Sequence, residues 1–322
     1  MKYKLLLTEP ESFSTVAVRI LSSFCDIDFA GPNKNDLLKT IPDYDILFIR
    51  LGVKFDQNLL NKGKKLKYIV SPTTGLDHID LATAESLGIK ILSLQGEAQF
   101  LQGVSATAEL AWGLILSLLR NIPWSFDDVK KGNWSRDSFK GHELTSKRLG
   151  ILGLGRLGEK VARYGIAFGM QVIAYDPYRI GWINGVDSAA SLTQLLTNCD
   201  ILSIHVPLNK ETEEIIGEEE LSLLPEGSWI VNTSRGKVIN ENALLNMLMS
   251  GHIGGAGLDV LIDESQGNDS VKCNKLIQYS KKNRNLIITP HIGGATFESM
   301  QKTEVFMAAK LKEVILMDNK TK

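Results

Sequence analysis

The 322-residue sequence is poor in cysteine and histidine and carries almost no net charge. Its three cysteines, Cys25, Cys199 and Cys273, are odd in number and lack the paired spacing of a zinc site or a disulfide framework. They point to reduced thiols, a cytoplasmic location and no bound metal. A formal net charge of -1 argues against nucleic acid as the main partner. The basic stretches at 62–67 and 281–284 read as solvated helix ends. No apolar run reaches the length of a membrane span. The most apolar, Ala111–Leu119, contains Trp112, Gly113 and Ser117 and stops at Arg120. Leu5-Leu6-Leu7 is too short for the core of a signal peptide.

Hydrophobic and charged contents of 43% and 23% suit a globular protein, and the length suits two domains. There is no internal repeat. Short β-type runs alternate with helical patterns, which implies βαβ units and parallel sheets. In the first hundred residues the strand candidates are Lys4–Thr8, Asp26–Ala30, Asp45–Arg50, Tyr68–Ser71 and Lys90–Ser93. Helical patterns such as Ser12–Phe24 and Leu81–Leu87 lie between them. Residues 104–123 are apolar on nearly every side and stop at Pro123, which predicts a helix buried at an interface between domains or subunits. A second series follows: Leu149–Leu152, Gln171–Tyr175, Asp200–Val206, Ser228–Asn232, Gly254–Val260 and Leu286–Thr289. With intervening helices such as Leu157–Phe168 and Glu241–Met249, this predicts a doubly wound sheet. The helical stretch Ser299–Leu316 is expected to return to the first unit.

Residues 149–158 read LGILGLGRLG, which places Gly153-x-Gly155-x-x-Gly158 at a strand-to-helix turn. Gly153 permits the turn, Gly155 lets a pyrophosphate approach, and Gly158 lets helix and strand pack closely. The amides of Arg156 and Leu157 would face the phosphates at the helix N-terminus. Asp176 closes the next strand, 18 residues after Gly158, where a carboxylate accepts both ribose hydroxyls. A 2′-phosphate beside it would be repelled by up to about 4 kcal/mol at roughly 4 Å and an effective dielectric of about 20, less in solvent. NAD is therefore expected over NADP, with Arg179 the one neighbour able to soften the preference. A turn packed tightly for its own sake is the plainer reading of the glycines.

Three later segments each end a strand, the edge at which α/β sheets bind ligands: Val231–Gly236, Gly257–Val260 and Thr289–Thr296. With GHELTSKRLGILGLGRLG and HVPLNKET before them, the segments VNTSRG, AGLDV and TPHIGGAT stand in the order and spacing of one family. The chain resembles the D-isomer-specific 2-hydroxyacid dehydrogenases, which include D-3-phosphoglycerate dehydrogenase, over almost its whole length. The resemblance implies a Rossmann NAD-binding domain (101–290) inserted in a smaller, flavodoxin-like substrate domain (1–100 and 291–322). It also implies a homodimer, which would use the helix at 104–120.

The resemblance further assigns roles. Arg235 matches the substrate-binding arginine, His291 the catalytic histidine and Glu264 its acidic partner. Thr107, His205, Val206, Pro207, Thr233, Ser234, Asp259, Gly293 and Gly294 fall at cofactor-contacting positions. Thr74 and Gly75 match a loop whose amides hold a substrate carboxylate, and Arg50 an arginine reaching substrate from the smaller domain. The chemistry asks for the same residue types. Keto-acid reduction needs a proton donor, which histidine supplies near neutral pH, and a guanidinium to fork onto a carboxylate. A carboxylate partner favours the imidazolium form.

The plainer readings are a capping role for His291 and a surface ion pair for Arg235. Asp263, next to Glu264, competes for the role of partner. His78 and His205 read as locally hydrogen-bonded, and His142 and His252 carry no signal. After AGLDV the sequence lacks the family's usual aromatic and proline residues and has a longer loop at 261–285. The longer phosphoglycerate dehydrogenases carry a C-terminal regulatory domain, which is not expected here. The expected activity is hydride transfer between NAD and a D-2-hydroxyacid such as 3-phosphoglycerate, or a small acid such as glyoxylate or hydroxypyruvate. The alternatives are an NAD(H)-sensing, corepressor-like binding protein or a phosphite dehydrogenase-like enzyme. A formate enzyme would have glutamine in place of Glu264.

Overall fold

The computed structural model describes residues 2–262, 264 and 268–320. The chain folds into two compact units. The smaller holds the described residues up to Val104 and those from Ala295 onward; the larger holds Ser105–Glu264 and Asn268–Gly294. Both joins fall four residues later than the sequence suggests. The second does so because His291, Ile292 and Gly293 hydrogen-bond to Asp259 of the larger unit.

The smaller unit is built on β1 (Tyr3–Leu7), β2 (Cys25–Phe29), β3 (Ile46–Phe48), β4 (Tyr68–Val70) and β5 (Lys90–Leu92). All are parallel in the order β2-β1-β3-β4-β5, the flavodoxin-like winding. Successive side chains of β1 go to opposite faces. Leu5 and Leu7 pack into one cluster with the helices Thr15–Ser22 and Phe297–Lys320, and Leu6 into another. The central strands β3 and β4 are covered on both faces and are apolar throughout, whereas the edge strand β2 alternates, with Asp26 and Asp28 exposed. Full burial of each such leucine contributes about 1.5–3 kcal/mol.

The larger unit is a seven-stranded parallel sheet. Its strands are β6 (Arg148–Leu152), β7 (Gln171–Tyr175), β8 (Val186–Ser188), β9 (Ile201–Ile204), β10 (Ser228–Asn232), β11 (Ile253–Leu258) and β12 (Leu286–Ile288). The order β12-β11-β10-β9-β6-β7-β8 reverses at β6 and makes this the doubly wound Rossmann arrangement. The sequence reading misses β8, a three-residue edge strand with one buried residue, too short to display a period.

The apolar helix is Ala106–Leu119, and its place differs from the expectation. It is a core helix of the larger unit, sharing a cluster with Leu149, Ile151, Val172 and Val231. Gly257 opens the way for it: a Cβ there would stand 3.0 Å from Leu114 and 3.2 Å from Leu118. Trp112 donates from Nε1 to the Val161 carbonyl at 3.2 Å, tying this helix to Arg156–Ala167. By length and composition alone Ala98–Leu119 qualifies as a membrane span, but much of its apolar surface goes into this core. Uncovered apolar side chains lie just beyond it, at Ile122, Phe126, Val129 and Trp134.

Candidate active site

The larger sheet changes winding direction between β6 and β9, the crevice where open α/β sheets take ligands. The glycine turn lies at that edge. Gly153 adopts φ 87°, and a Cβ on it would stand 2.8 Å from the His205 carbonyl at the end of β9. At Gly158 a Cβ would meet the Gly153 carbonyl at 2.0 Å, so only glycine lets the helix Arg156–Ala167 start this close to β6. Gly155, the N-cap, brings no capping side chain, and a Cβ there would meet nothing within 4 Å. The open position beside a helix N-terminus suits a pyrophosphate. Arg156 and Leu157 form the first turn of that helix.

Asp176 lies where the sequence places it, after β7. Its carboxylate accepts from the Leu154 amide at 2.9 Å and the Tyr178 amide at 3.0 Å, which draws it onto the glycine turn. Arg179 is committed elsewhere, to the Leu154 and Gly181 carbonyls and to the Glu159 carboxylate. It is therefore held away from the task of softening the cofactor preference. His205, Val206 and Pro207 follow β9 on the far side of the turn. Burial pushes the His205 imidazole down to about 4, so it stays neutral at physiological pH, and Nε2 shares a hydrogen with Ser203 Oγ at 2.8 Å.

A second constellation forms where β10, β11 and β12 end. Asn232, which the sequence reading passes over, closes an Asx turn. Its Oδ1 accepts from the Ser234 amide at 2.9 Å and hydroxyl at 2.8 Å, while Nδ2 donates to the Arg235 carbonyl at 2.9 Å. This turn sets the direction of Arg235, whose Nη1 also donates to the Ser234 carbonyl. Gly236 then packs against the backbone of 261–262, where a Cβ would stand 2.2 Å from the Leu261 carbonyl carbon. That contact brings Arg235 alongside the segment carrying Glu264. Glu241, a further unforeseen residue, holds the same segment by accepting from the Ile262 amide at 2.6 Å.

Glu264 Oε1 meets His291 Nδ1 at 2.5 Å, and Oε2 accepts from the Leu261 amide at 3.0 Å. A carboxylate can only accept, so the hydrogen of the pair sits on Nδ1 and Nε2 is the ring nitrogen left for substrate. Both side chains are about a quarter to a third exposed, at 26% and 30%. Asp263, the rival partner, lies outside the described residues. His291 has φ 52°, uncommon for a non-glycine residue, and Asp259 holds it there. Asp259 is 1% exposed and accepts from Thr289 Oγ1 at 2.6 Å, the Ile292 amide at 2.8 Å and the Gly293 amide at 2.7 Å. Burial pushes its carboxyl up, with those hydrogen bonds pulling the other way. Asp259 was expected at the cofactor; its observed work is to anchor the histidine loop, leaving little of the carboxylate for a ligand. Thr107, on the first turn of the core helix, backs Gly293, and around Gly294 there is open space. Thr233 Oγ1 is buried without a hydrogen-bond partner among the described residues. That orphaned hydroxyl and the open position at Gly155 both fit an NAD molecule along this edge.

In the smaller unit, Thr74 and Gly75 follow β4 in a loop shaped by Thr73, whose hydroxyl bonds Ser71 Oγ and the Gly75 carbonyl, each at 2.8 Å. Arg50 follows β3, but its guanidinium is already engaged. Nη2 pairs with Glu304, Nη1 donates to the Glu11 carbonyl at 3.1 Å, and the plane lies 5.3 Å from the Phe13 ring centre. The sequence reading misses Glu304, because a glutamate inside a 24-residue helix looks like any solvated charge.

The comparisons with known proteins converge on the same edge chemistry. Residues 112–293 match the family model "D-isomer specific 2-hydroxyacid dehydrogenase, NAD binding domain". The chain is 36% identical over 316 residues to D-3-phosphoglycerate dehydrogenase of Methanocaldococcus jannaschii, covering 97% of this chain and 57% of that protein. It is 34% identical to hydroxypyruvate reductase of Thermotoga maritima, covering 96% and 97% of the two chains. It thus spans little more than half the length of the first relative and nearly all of the second. D-lactate dehydrogenase of Aquifex aeolicus, solved with NAD and lactic acid, superposes with a TM-score of 0.82 at 29% identity, covering 98% and 96%. The family model takes in more than half the residues, including the glycine turn, Asp176, Arg235, Asp259, Glu264 and His291: the chain belongs to the D-isomer specific 2-hydroxyacid dehydrogenase family, with NAD as its cofactor.

Proposed function

We propose that the chain is an oxidoreductase that interconverts a D-2-hydroxyacid and its 2-keto acid, and that His291 handles the proton. The observation that carries this reading is the His291–Glu264 pair, set at the same sheet edge as Arg235 and the glycine turn. Gly153, Gly155, the amides of Arg156 and Leu157, Asp176 and Thr233 would hold NAD, which when bound supplies or accepts the hydride. Arg235 would fork onto the substrate carboxylate and the neighbouring oxygen, keeping permanent positive charge where an alkoxide develops. By the family resemblance, Thr74 and Gly75 of the smaller unit would offer backbone amides to a substrate carboxylate. In reduction the hydrogen on His291 Nε2 passes to the alkoxide oxygen, and in oxidation it returns. Glu264 fixes the direction of the ring through Nδ1.

We place the enzyme in the cytoplasm, because Cys25, Cys199 and Cys273 are free thiols, the cysteine usage of a reducing compartment. We assign it a homodimer through the exposed apolar side chains Ile122, Phe126, Val129 and Trp134, in place of the core helix first expected. The relatives' names, a phosphoglycerate dehydrogenase and a hydroxypyruvate reductase, support a short 2-hydroxy or 2-keto acid as the substrate.

The test is His291→Ala. Loss of an acid–base group typically costs about 10²–10⁴-fold in rate. Reduction of a panel of 2-keto acids should fall by that factor, while NADH binding, followed by fluorescence, stays near the wild-type value. Near-normal turnover in the variant would assign the proton to another group. No turnover of any acid by the wild type would favour the NAD(H)-sensing reading.

A further inference from the structure

One hydrogen bond in the larger unit spans the cofactor crevice from lip to lip. In the sheet β6 lies between β7 and β9, with the glycine turn at its carboxyl end. The loops that follow β7 and β9 therefore flank that turn on either side. On the first lip the Tyr178 hydroxyl donates to the Glu211 carboxylate on the second. The bond to Glu211 pushes the phenol above its ordinary range, so Tyr178 stays protonated and remains the donor.

Both partners are aimed by built turns. The Tyr178 amide donates to Asp176 Oδ1 at 3.0 Å, and Asp176 Oδ2 accepts from the Leu154 amide of the glycine turn at 2.9 Å. On the opposite lip, Asn209 Oδ1 accepts from the Glu211 amide at 2.8 Å and the Thr212 amide at 3.1 Å. The buried Thr212 staples this loop to the end of β9. Its hydroxyl donates to the Pro207 carbonyl at 2.6 Å and accepts from the Asn209 amide at 2.9 Å. Two Asx turns thus hold a phenol and a carboxylate facing each other across the crevice. Tyr178 is 75% exposed and Glu211 is also exposed, so their bond contributes little to stability. Its placement gives it a different task.

The half of the dinucleotide concerned follows from the strand order. Asp176, the carboxylate for the ribose hydroxyls, opens the turn that carries Tyr178. Arg235 and His291 follow β10 and β12, on the other side of β9. The bridge therefore crosses the adenosine end of the crevice and stands clear of the end where hydride and proton move. An adenine ring entering or leaving between the two lips must part them.

We propose that Tyr178 and Glu211 form a clasp over the adenosine half of bound NAD, and that its opening governs how fast the cofactor enters and leaves. The proposal rests on the NAD crevice described above and concerns exchange of the cofactor, not the chemical step.

The experiment follows NADH association and dissociation by stopped-flow fluorescence in the wild type, Tyr178→Phe, Glu211→Gln and the double variant. Reduced nicotinamide mononucleotide, which lacks the adenosine half, is run as a second probe. Both side chains lie at the surface, so the variants should fold as the wild type does. An exposed contact to a charged group is worth roughly two- to fivefold, and the clasp must open in both directions. Each single variant should therefore raise kon and koff for NADH together by about that factor, leaving Kd within about twofold of wild type. The double variant should match the singles, because all three lose the same bond. Exchange of the mononucleotide should not change. Unmoved NADH rates in both single variants overturn the proposal. A rise in koff alone, with affinity lost, also overturns it, since that marks a direct contact with the base and not a gate. Equal acceleration of the mononucleotide overturns the assignment to the adenosine half. Absence of NADH binding by the wild type would strike down the cofactor assignment itself, and the clasp with it.

Discussion

Truncating Asp259 to alanine should separate the anchoring of His291 from the binding of cofactor. The carboxylate accepts three hydrogen bonds, from Thr289, Ile292 and Gly293, while almost fully buried. Alanine leaves two backbone amides without a partner, and each unsatisfied buried donor costs about 1–3 kcal/mol. Two effects work against that cost. Burial already penalises the charged Asp259, and release of His291 from φ 52° recovers backbone strain of about 1–3 kcal/mol. A net loss of about 1–3 kcal/mol remains, which at about 2–4 °C per kcal/mol for a unit of this size lowers its Tm by roughly 2–12 °C. The kinetic effect should be larger. Once the loop is untied, the imidazole loses its fixed direction, and misplacement of a reacting group by about 1 Å costs about 10²-fold. The assay is kcat and KM for glyoxylate reduction below the shifted Tm, with NADH affinity from fluorescence titration. We expect kcat down about 10²-fold and NADH affinity within a few-fold of wild type. A variant that retains kcat within threefold but loses NADH affinity would refute the reasoning and return Asp259 to the cofactor site.

Asp176→Ala should bring the kcat/KM for NADPH closer to that for NADH, which in the wild type should differ by about 10–10³-fold after solvent discounts the repulsion; equal use of both cofactors by the unmutated protein would contradict this. Asp200→Asn should reveal a pH-dependent contribution to stability. Burial pushes the Asp200 carboxyl up, but the Arg148 side chain at 2.9 Å, its amide at 2.8 Å and its charge outweigh that and hold the carboxyl below its usual range. A depressed acid contributes stability above its unfolded value, about 3.9, and loses it as pH falls through the folded value. The Tm gap between wild type and variant should therefore be full at pH 7 and close below about pH 4. A gap independent of pH would show that the ion pair is not its source.

The ends of strands carried most of what could be read in advance. Buried parallel strands are continuous apolar runs, so β6, β7 and β10 announce themselves, and the turn after each must place its chemical groups at the ligand edge. The places of Gly153, Asp176, Arg235 and His291 at that edge were legible for that reason, because backbone geometry and residue type are both local.

Positions decided by contacts distant in sequence could not be read this way. The apolar helix at 106–119 looked like an interface because its composition records only that every side is dry; that Gly257 of β11 admits it to a core is a property of the packed sheet. Asp259 carried a cofactor expectation by position, yet the amides of Ile292 and Gly293, some 33 residues later, consume it. Arg50 is the clearest instance. The family resemblance marked it as an arginine for substrate, and the sequence alone determined only its place after β3. Glu304 lies 254 residues away on a helix with no local sign of burial, and only the fold brings the two charges together. Whether a charged side chain is offered to a ligand or spent inside the protein depends on what desolvates it. That is settled by tertiary packing and not by the residue's own neighbours in the chain.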